Sequence, residues 1–93
     1  MIKLRTDLKK VQILTEGFEE EAHYIERSGN LFIYTYLNAH GQGTLHQLRS
    51  IDEVKTFMEE LYVGYVDYWQ NEGRTILVNV EEDFKSLKDA LNV

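Results

Sequence analysis

Three histidines and sixteen carboxylates are the side chains in this sequence with the most chemical potential. His23, His40 and His46 are the first set to test for a metal or an acid–base site. Their spacing matches no zinc signature, no cysteine accompanies them, and no His-Glu-x-x-His helix is present. His23 belongs to an apparent strand and His40 to a turn. Ordinary packing or surface roles are therefore expected, with no metal and no cofactor. Acid–base catalysis needs two carboxylates in a cleft, with separated proton affinities. Glu59, Glu60 and Asp67 offer the acids without the cleft. Helical spacing puts Glu60 and Asp67, with Thr56 and Val63, on the face opposite the apolar stripe, and a convex helix face is a poor active site. Gly41-Gln42-Gly43 lacks the Lys-Ser/Thr and the following helix of a phosphate loop. The expectation is a binding protein rather than an enzyme.

The carboxylates are unevenly placed. Residues 1–49 carry six acidic and six basic side chains, and residues 50–93 carry ten and four, so the whole net charge of −6 lies in the second half. Such a field repels nucleic acids and anionic membranes and attracts basic surfaces. Glu81-Glu82-Asp83, with Asp67 and Glu72 before it, is the densest cluster. One reading is complementation of a helix dipole. The other is an array of carboxylates that meets arginine forks in a nucleic-acid-binding site of another protein. The candidate binding set is Glu59, Glu60, Asp67, Glu72, Glu81, Glu82 and Asp83.

These residues must be held by helices. Ser50-Ile51-Asp52-Glu53 is a capping box, with the Ser50 side chain accepting from the Glu53 N–H and Glu53 reaching back to that of Ser50. Ile51, Val54, Met58, Leu61, Tyr65 and Tyr68 follow at steps of three and four, widened by Phe57, Tyr62 and Trp69, and predict a helix over 51–71. Gly73 is its C-terminal stop. Gly64, inside it, marks either a close crossing by another backbone or a weak point. Asn79 and the acidic run after it predict a second helix over 80–91, with Val80, Phe84, Leu87 and Leu91 as its stripe. Thr75-Ile76-Leu77-Val78 reads as a short strand, or as an extended linker between the helices.

The first half reads as β. Leu31–Leu37 is the strongest strand. Gly29-Asn30 joins it to a strand at about 22–27. His40–Gly43 turns into a third strand over 44–49, and Lys10–Thr15 offers a fourth. Residues 1–8 give no clear element. Phe32, Tyr34 and Tyr36 share one strand face, where they could stack bases or fill a core. The acidic balance and the missing basic rim favour the core. Ninety-three residues make one domain. The N-terminus has no apolar run of the signal-peptide kind, and the cytoplasm is the expected compartment.

A three-stranded meander, a helix from Ser50, and a closing helix opening on Glu81-Glu82-Asp83-Phe84, with acidic residues gathered in that half, resemble the small type II anti-CRISPR proteins of phages. The resemblance covers about residues 22–92. It implies an inhibitor that presents acidic residues to the Cas9 site reading the DNA motif beside the target, in a bacterial cytoplasm and without a cofactor. The expected fold is α+β: an antiparallel meander of three to five strands packed against one long helix, with a short C-terminal helix. The expected function is a non-enzymatic inhibitor, monomeric or homodimeric, that occupies a basic nucleic-acid-binding site on a protein and binds neither nucleic acid nor membrane itself. The alternative is an assembly protein that self-associates through a sheet edge or through Tyr62, Tyr65, Tyr68 and Trp69.

Overall fold

In a computed structural model, which describes residues 10–14 and 21–93, the chain forms four strands followed by two helices. They are β1 (Val11–Ile13), β2 (Ala22–Ser28), β3 (Leu31–Leu37), β4 (Gly43–Leu48), α1 (Ile51–Asn71) and α2 (Val80–Leu91). The strands form one antiparallel sheet in the order β1-β2-β3-β4. This is the α+β meander that the sequence predicts. Residues 1–9 and Thr15, the end of the expected first strand, lie outside the described residues.

The turns follow from local chemistry. Gly29 takes a positive φ of 63° in the two-residue loop between β2 and β3, a conformation that glycine enters without steric cost. Between β3 and β4 the Asn38 side chain accepts from the N–H groups of His40 and Gln42 at 2.9 and 3.0 Å. The turn ends at Gly43, where an added Cβ would overlap the backbone carbonyl of Tyr36.

Register decides which face each side chain takes. His23 pairs with Tyr36, Ile25 with Tyr34, and Arg27 with Phe32, so all six share one face. Tyr34 opposes His46, and Phe32 opposes Leu48, on the same face. Both helices cover this face. Phe57 of α1 stacks on His46 and tilts against Tyr34, and Leu87 and Leu91 of α2 join Val11, Ile13 and Ile25 in the core. Phe32 and Tyr34 are buried and Tyr36 packs against the core, so the aromatic row is core.

The helix starts are capped as the sequence predicts, with one difference. The Glu53 N–H donates to Ser50 Oγ at 3.1 Å, but the Glu53 carboxylate accepts from the N–H of Arg49, one residue before the expected donor. The Glu82 N–H donates to Asn79 Oδ1 at 3.1 Å. At the end of α1, Gly73 has φ 81°, its N–H donates to Gln70 O, and the Arg74 N–H donates to Trp69 O, a left-handed stop. Thr75–Val78 is not a strand. It is an extended linker whose Ile76 is buried and whose Leu77 is 73% exposed. It lies in no ladder, and the sheet edges are β1 and β4.

Candidate partner-binding surface

Six of the seven candidate carboxylates are exposed, and the seventh is not. Asp83 is buried at 9% exposure, and its Oδ2 accepts from the Tyr62 hydroxyl at 3.0 Å. This corrects the assignment of Asp83 to a binding surface. Its place is inside, between α2 and α1. Burial raises its pKa, the Tyr62 bond lowers it, and the neighbouring Glu82 charge raises it again, for a net rise. The Tyr62 phenol is raised in turn, by burial first and by the Asp83 charge second.

Glu59, Glu60 and Asp67 stand on the exposed side of α1, joined there by Asp52 and Glu53. Glu53, Glu60 and Asp67 repeat every seven residues, which aligns them along one ridge. Shallow hollows flank the ridge, each bordered by its carboxylates. One, of about 380 Å³, is lined by Glu21, His23, Glu60, Leu61, Gly64, Tyr65 and Tyr68. A second, of about 350 Å³, lies between α1 and residues 78–80, with Glu59 and Asp67 beside Tyr62, Val63, Val66, Val78 and Val80. A third, of about 360 Å³, has Asp52, Glu53 and Glu60 around Leu48, Thr56 and Phe57. Glu81 and Glu82 form the first turn of α2, directly after Val80. Glu72 caps the far end of α1. The structure thus puts Glu60 and Asp67 on one ridge with Glu53, and Glu59 beside it, about 100° round the helix from Glu60. Glu81 and Glu82 sit on a second element, and Glu72 at the ridge's end.

Self-neutralisation of the ridge is absent among the described residues. The one ion pair within ordinary reach there joins Lys10 to Glu26 on the sheet, at 3.9 Å. Four other cations have rings or carbonyls as neighbours. Lys55 and Lys88 lie over the Phe84 ring, at 6.0 and 5.6 Å from its centre. Arg74 lies over Trp69 at 5.3 Å. Arg27 donates to the carbonyls of Leu91 and Asn92 at the end of α2, at 3.4 and 3.0 Å.

The histidines do not converge. His23 is buried on the covered face, with Nδ1 2.7 Å from the Tyr34 hydroxyl. Its ring lies among those of Tyr34, Tyr36 and Tyr65. Burial pushes its pKa down to about 4, so the imidazole is neutral at physiological pH. His40 is in the turn before β4, and His46 is on the edge strand. Among the described residues no group of three His, Asp or Glu side chains is placed to hold a metal ion, and no helix is long and apolar enough to cross a membrane. The aromatic end of α1 is also largely internal. Tyr62 and Tyr65 are buried, Trp69 is half-buried, and Tyr68 is exposed.

Glu21 was missed by sequence reasoning. It precedes β2 near Tyr36, whose phenol is raised by desolvation first and by this carboxylate second. Nothing in the local sequence links Glu21 to Glu60. Only the packing of α1 on the start of β2 does so.

The fold and the surface define a class: a four-stranded α+β meander whose acidic helix ridge has no ion pair among the described residues. No family model, curated protein or solved structure matches the chain.

Proposed function

We propose that the protein is a non-enzymatic inhibitor or adaptor that presents the acidic ridge of α1 to a basic, nucleic-acid-binding site on another protein. The observation that carries this reading is the combination of Glu53, Glu59, Glu60 and Asp67 exposed on one helix, with Lys55, Arg74 and Lys88 over aromatic rings and Arg27 on backbone carbonyls. A surface of this kind attracts arginine and lysine over a distance set by ionic strength. The resemblance of element order to type II anti-CRISPR proteins makes Cas9 the first partner to test. The contact residues are Glu59, Glu60 and Asp67, with Glu81, Glu82 and Glu72 extending the field.

The test is competition. The purified chain is added to guide-loaded Cas9 and a labelled target duplex, and DNA binding is measured across a salt series. The expected result is inhibition that weakens steeply with salt, and that falls roughly tenfold or more when Glu59, Glu60 and Asp67 are all replaced by lysine. Inhibition that ignored both changes would remove the acidic ridge from the mechanism. Absence of any inhibition at low salt would remove Cas9, and the same salt and charge-reversal tests then apply to a partner captured from a bacterial lysate.

A further inference from the structure

We infer that the free edge of β4 takes an extended segment of the protein partner as a fifth strand, one with basic and apolar side chains in alternation. The inference rests on the reading that the partner is basic, and it names how that partner is held. β4 closes one side of the sheet, and among the described residues nothing pairs with it on the side away from β3. Gly43–Gln47 are all exposed, and Leu45 keeps 72% of its surface open. A strand flanked on both sides at about 4.8 Å would not leave its side chains so uncovered. The outward N–H and C=O groups of such an edge are a template for another strand, and proteins commonly guard it with charge or proline. β4 reads Gly-Thr-Leu-His-Gln-Leu and contains no proline, lysine, arginine or carboxylate. The opposite edge, β1, is only three residues long, with Val11 and Ile13 buried.

The two faces of β4 say what the added strand must carry. Register puts Thr44, His46 and Leu48 on the face that the helices cover, and Leu45 on the other face, in a row with Thr35 and Tyr24. On the covered face α1 overhangs the strand. Phe57 stacks on His46 with ring centres 5.3 Å apart. The Glu53 carboxylate accepts from the Arg49 N–H, which holds it at the foot of β4. The hollow of about 360 Å³ between helix and strand joins Leu48 and Phe57 to Asp52, Glu53 and Glu60. Side chains of a fifth strand that point to this face enter beside those carboxylates, and charge complementarity makes them arginine or lysine. Alternate ones stand about 7 Å apart, against about 10 Å between Glu53 and Glu60, a difference that long side chains absorb. Side chains on the other face lie beside Leu45 and are apolar. Main-chain bonds supply affinity, and the alternation supplies choice.

A second copy of this chain fits the edge less well. Antiparallel pairing of β4 with β4 puts both α1 helices on one side of the joint sheet and turns the carboxylates of each toward the other.

The probe is a blocked hexapeptide of alternating arginine and valine, titrated into the isotope-labelled full chain and followed by amide shifts and hydrogen exchange. The expected result is saturable shifts centred on β4, with slowed exchange of its outward N–H groups. A peptide of the same composition, with its arginines and valines in two blocks, should bind at least about fivefold more weakly. Methylating alternate backbone nitrogens of the peptide should abolish binding in one phase and spare it in the other, since an added strand pairs through one edge. Leu45→Lys, an exposed change that leaves every carboxylate in place, should weaken binding at least about fivefold, and Gln47→Lys serves if Leu45→Lys fails to fold. Shifts centred elsewhere, equal binding of the block peptide, methylation phases that act alike, or binding that survives both lysine variants would overturn the assignment. So would a dimer in sedimentation whose β4 amides are protected without peptide, which gives the edge to a second copy. The two readings fail separately. Salt-sensitive partner binding that is unaffected by Leu45→Lys removes the added strand and leaves the ridge. Peptide held on β4, with partner binding indifferent to reversal of Glu59, Glu60 and Asp67, does the opposite.

Discussion

His23 makes the stability of the protein depend on pH in a defined window. Its imidazole is buried among Tyr34, Tyr36 and Tyr65, and desolvation lowers its pKa from 6.5 to about 4. In the unfolded chain the ring takes up a proton as pH falls through 6.5, while in the folded protein it does not until about pH 4. The unfolded state therefore binds more protons throughout that interval, and folding stability is lost as the solution is acidified. Each unit of difference corresponds to about 1.4 kcal/mol, so the interval is worth up to roughly 3 kcal/mol. In a domain of this size that lowers the melting temperature by roughly 10–20 °C. The assay is circular dichroism melting at several pH values from 7 to 4, for the natural chain and for His23→Asn. Asparagine offers a polar group near the position of Nδ1, keeps a partner for the Tyr34 hydroxyl, and does not titrate. The variant is less stable at pH 7, because the ring contacts are gone, but its stability falls less on acidification. The comparison also cancels Glu21 and Glu60, which line the hollow beside His23 and remain in both proteins. Parallel loss of stability in the two proteins between pH 6.5 and 4 would refute the assignment to His23.

Two further substitutions test the core. Tyr62→Phe removes the hydroxyl that bonds the buried Asp83 carboxylate and should cost roughly 1.5–3 kcal/mol at neutral pH by urea denaturation. The cost should shrink in acid, because the Tyr62 bond favours the charged carboxylate and that preference no longer counts once Asp83 is protonated in both proteins, which its raised pKa brings on at a higher pH than in the unfolded chain. A change below about 0.5 kcal/mol at pH 7 would show that the bond does not pin α2 to α1. Thr35 is 6% exposed and its hydroxyl has no hydrogen-bond partner among the described residues. Thr35→Val keeps the β-branched shape and should raise stability by roughly 1 kcal/mol, and a loss of stability would mean the hydroxyl is satisfied in solution.

The helices were legible because their signals are local. Ser50 and Asn79 cap them as the sequence implies, and Gly73 ends the first. The inner stripe of α1 was read slightly off its axis. Val54, Met58, Tyr62 and Tyr65 are its buried line, with Leu61 at the margin and Tyr68 half-exposed. The polar tip of Tyr62 disguised a core position, and its hydrogen bond to Asp83 is what allows it there. Asp83 had a signal too, since it stands four residues before Leu87 and eight before Leu91, on the apolar face of α2. An acidic run hid that periodicity, because charge was read as exposure. The extended segment at 75–78 has strand composition, but composition does not supply a neighbouring strand. The hollow beside Gly64 was beyond the sequence, since its two carboxylates are 39 positions apart.

The acidic ridge is arranged so that the fold tolerates it. Like charges three or four residues apart on a helix destabilise it by a few tenths of a kcal/mol per pair, roughly 0.2–0.5. No two acidic residues of α1 have that spacing. Glu53, Glu60 and Asp67 are separated by seven residues, about 10 Å along the axis, which is near the screening length at physiological salt. Their mutual repulsion is therefore small. A partner that approaches the ridge side-on meets all of them at short range, where screening is weak. The same spacing that spares the isolated domain lets several carboxylates act together on a basic surface. The carboxylates of α1 therefore need no ion pair from the described residues to keep the helix, and Lys55, Lys88, Arg74 and Arg27 instead cover Phe84 and Trp69 and cap α2.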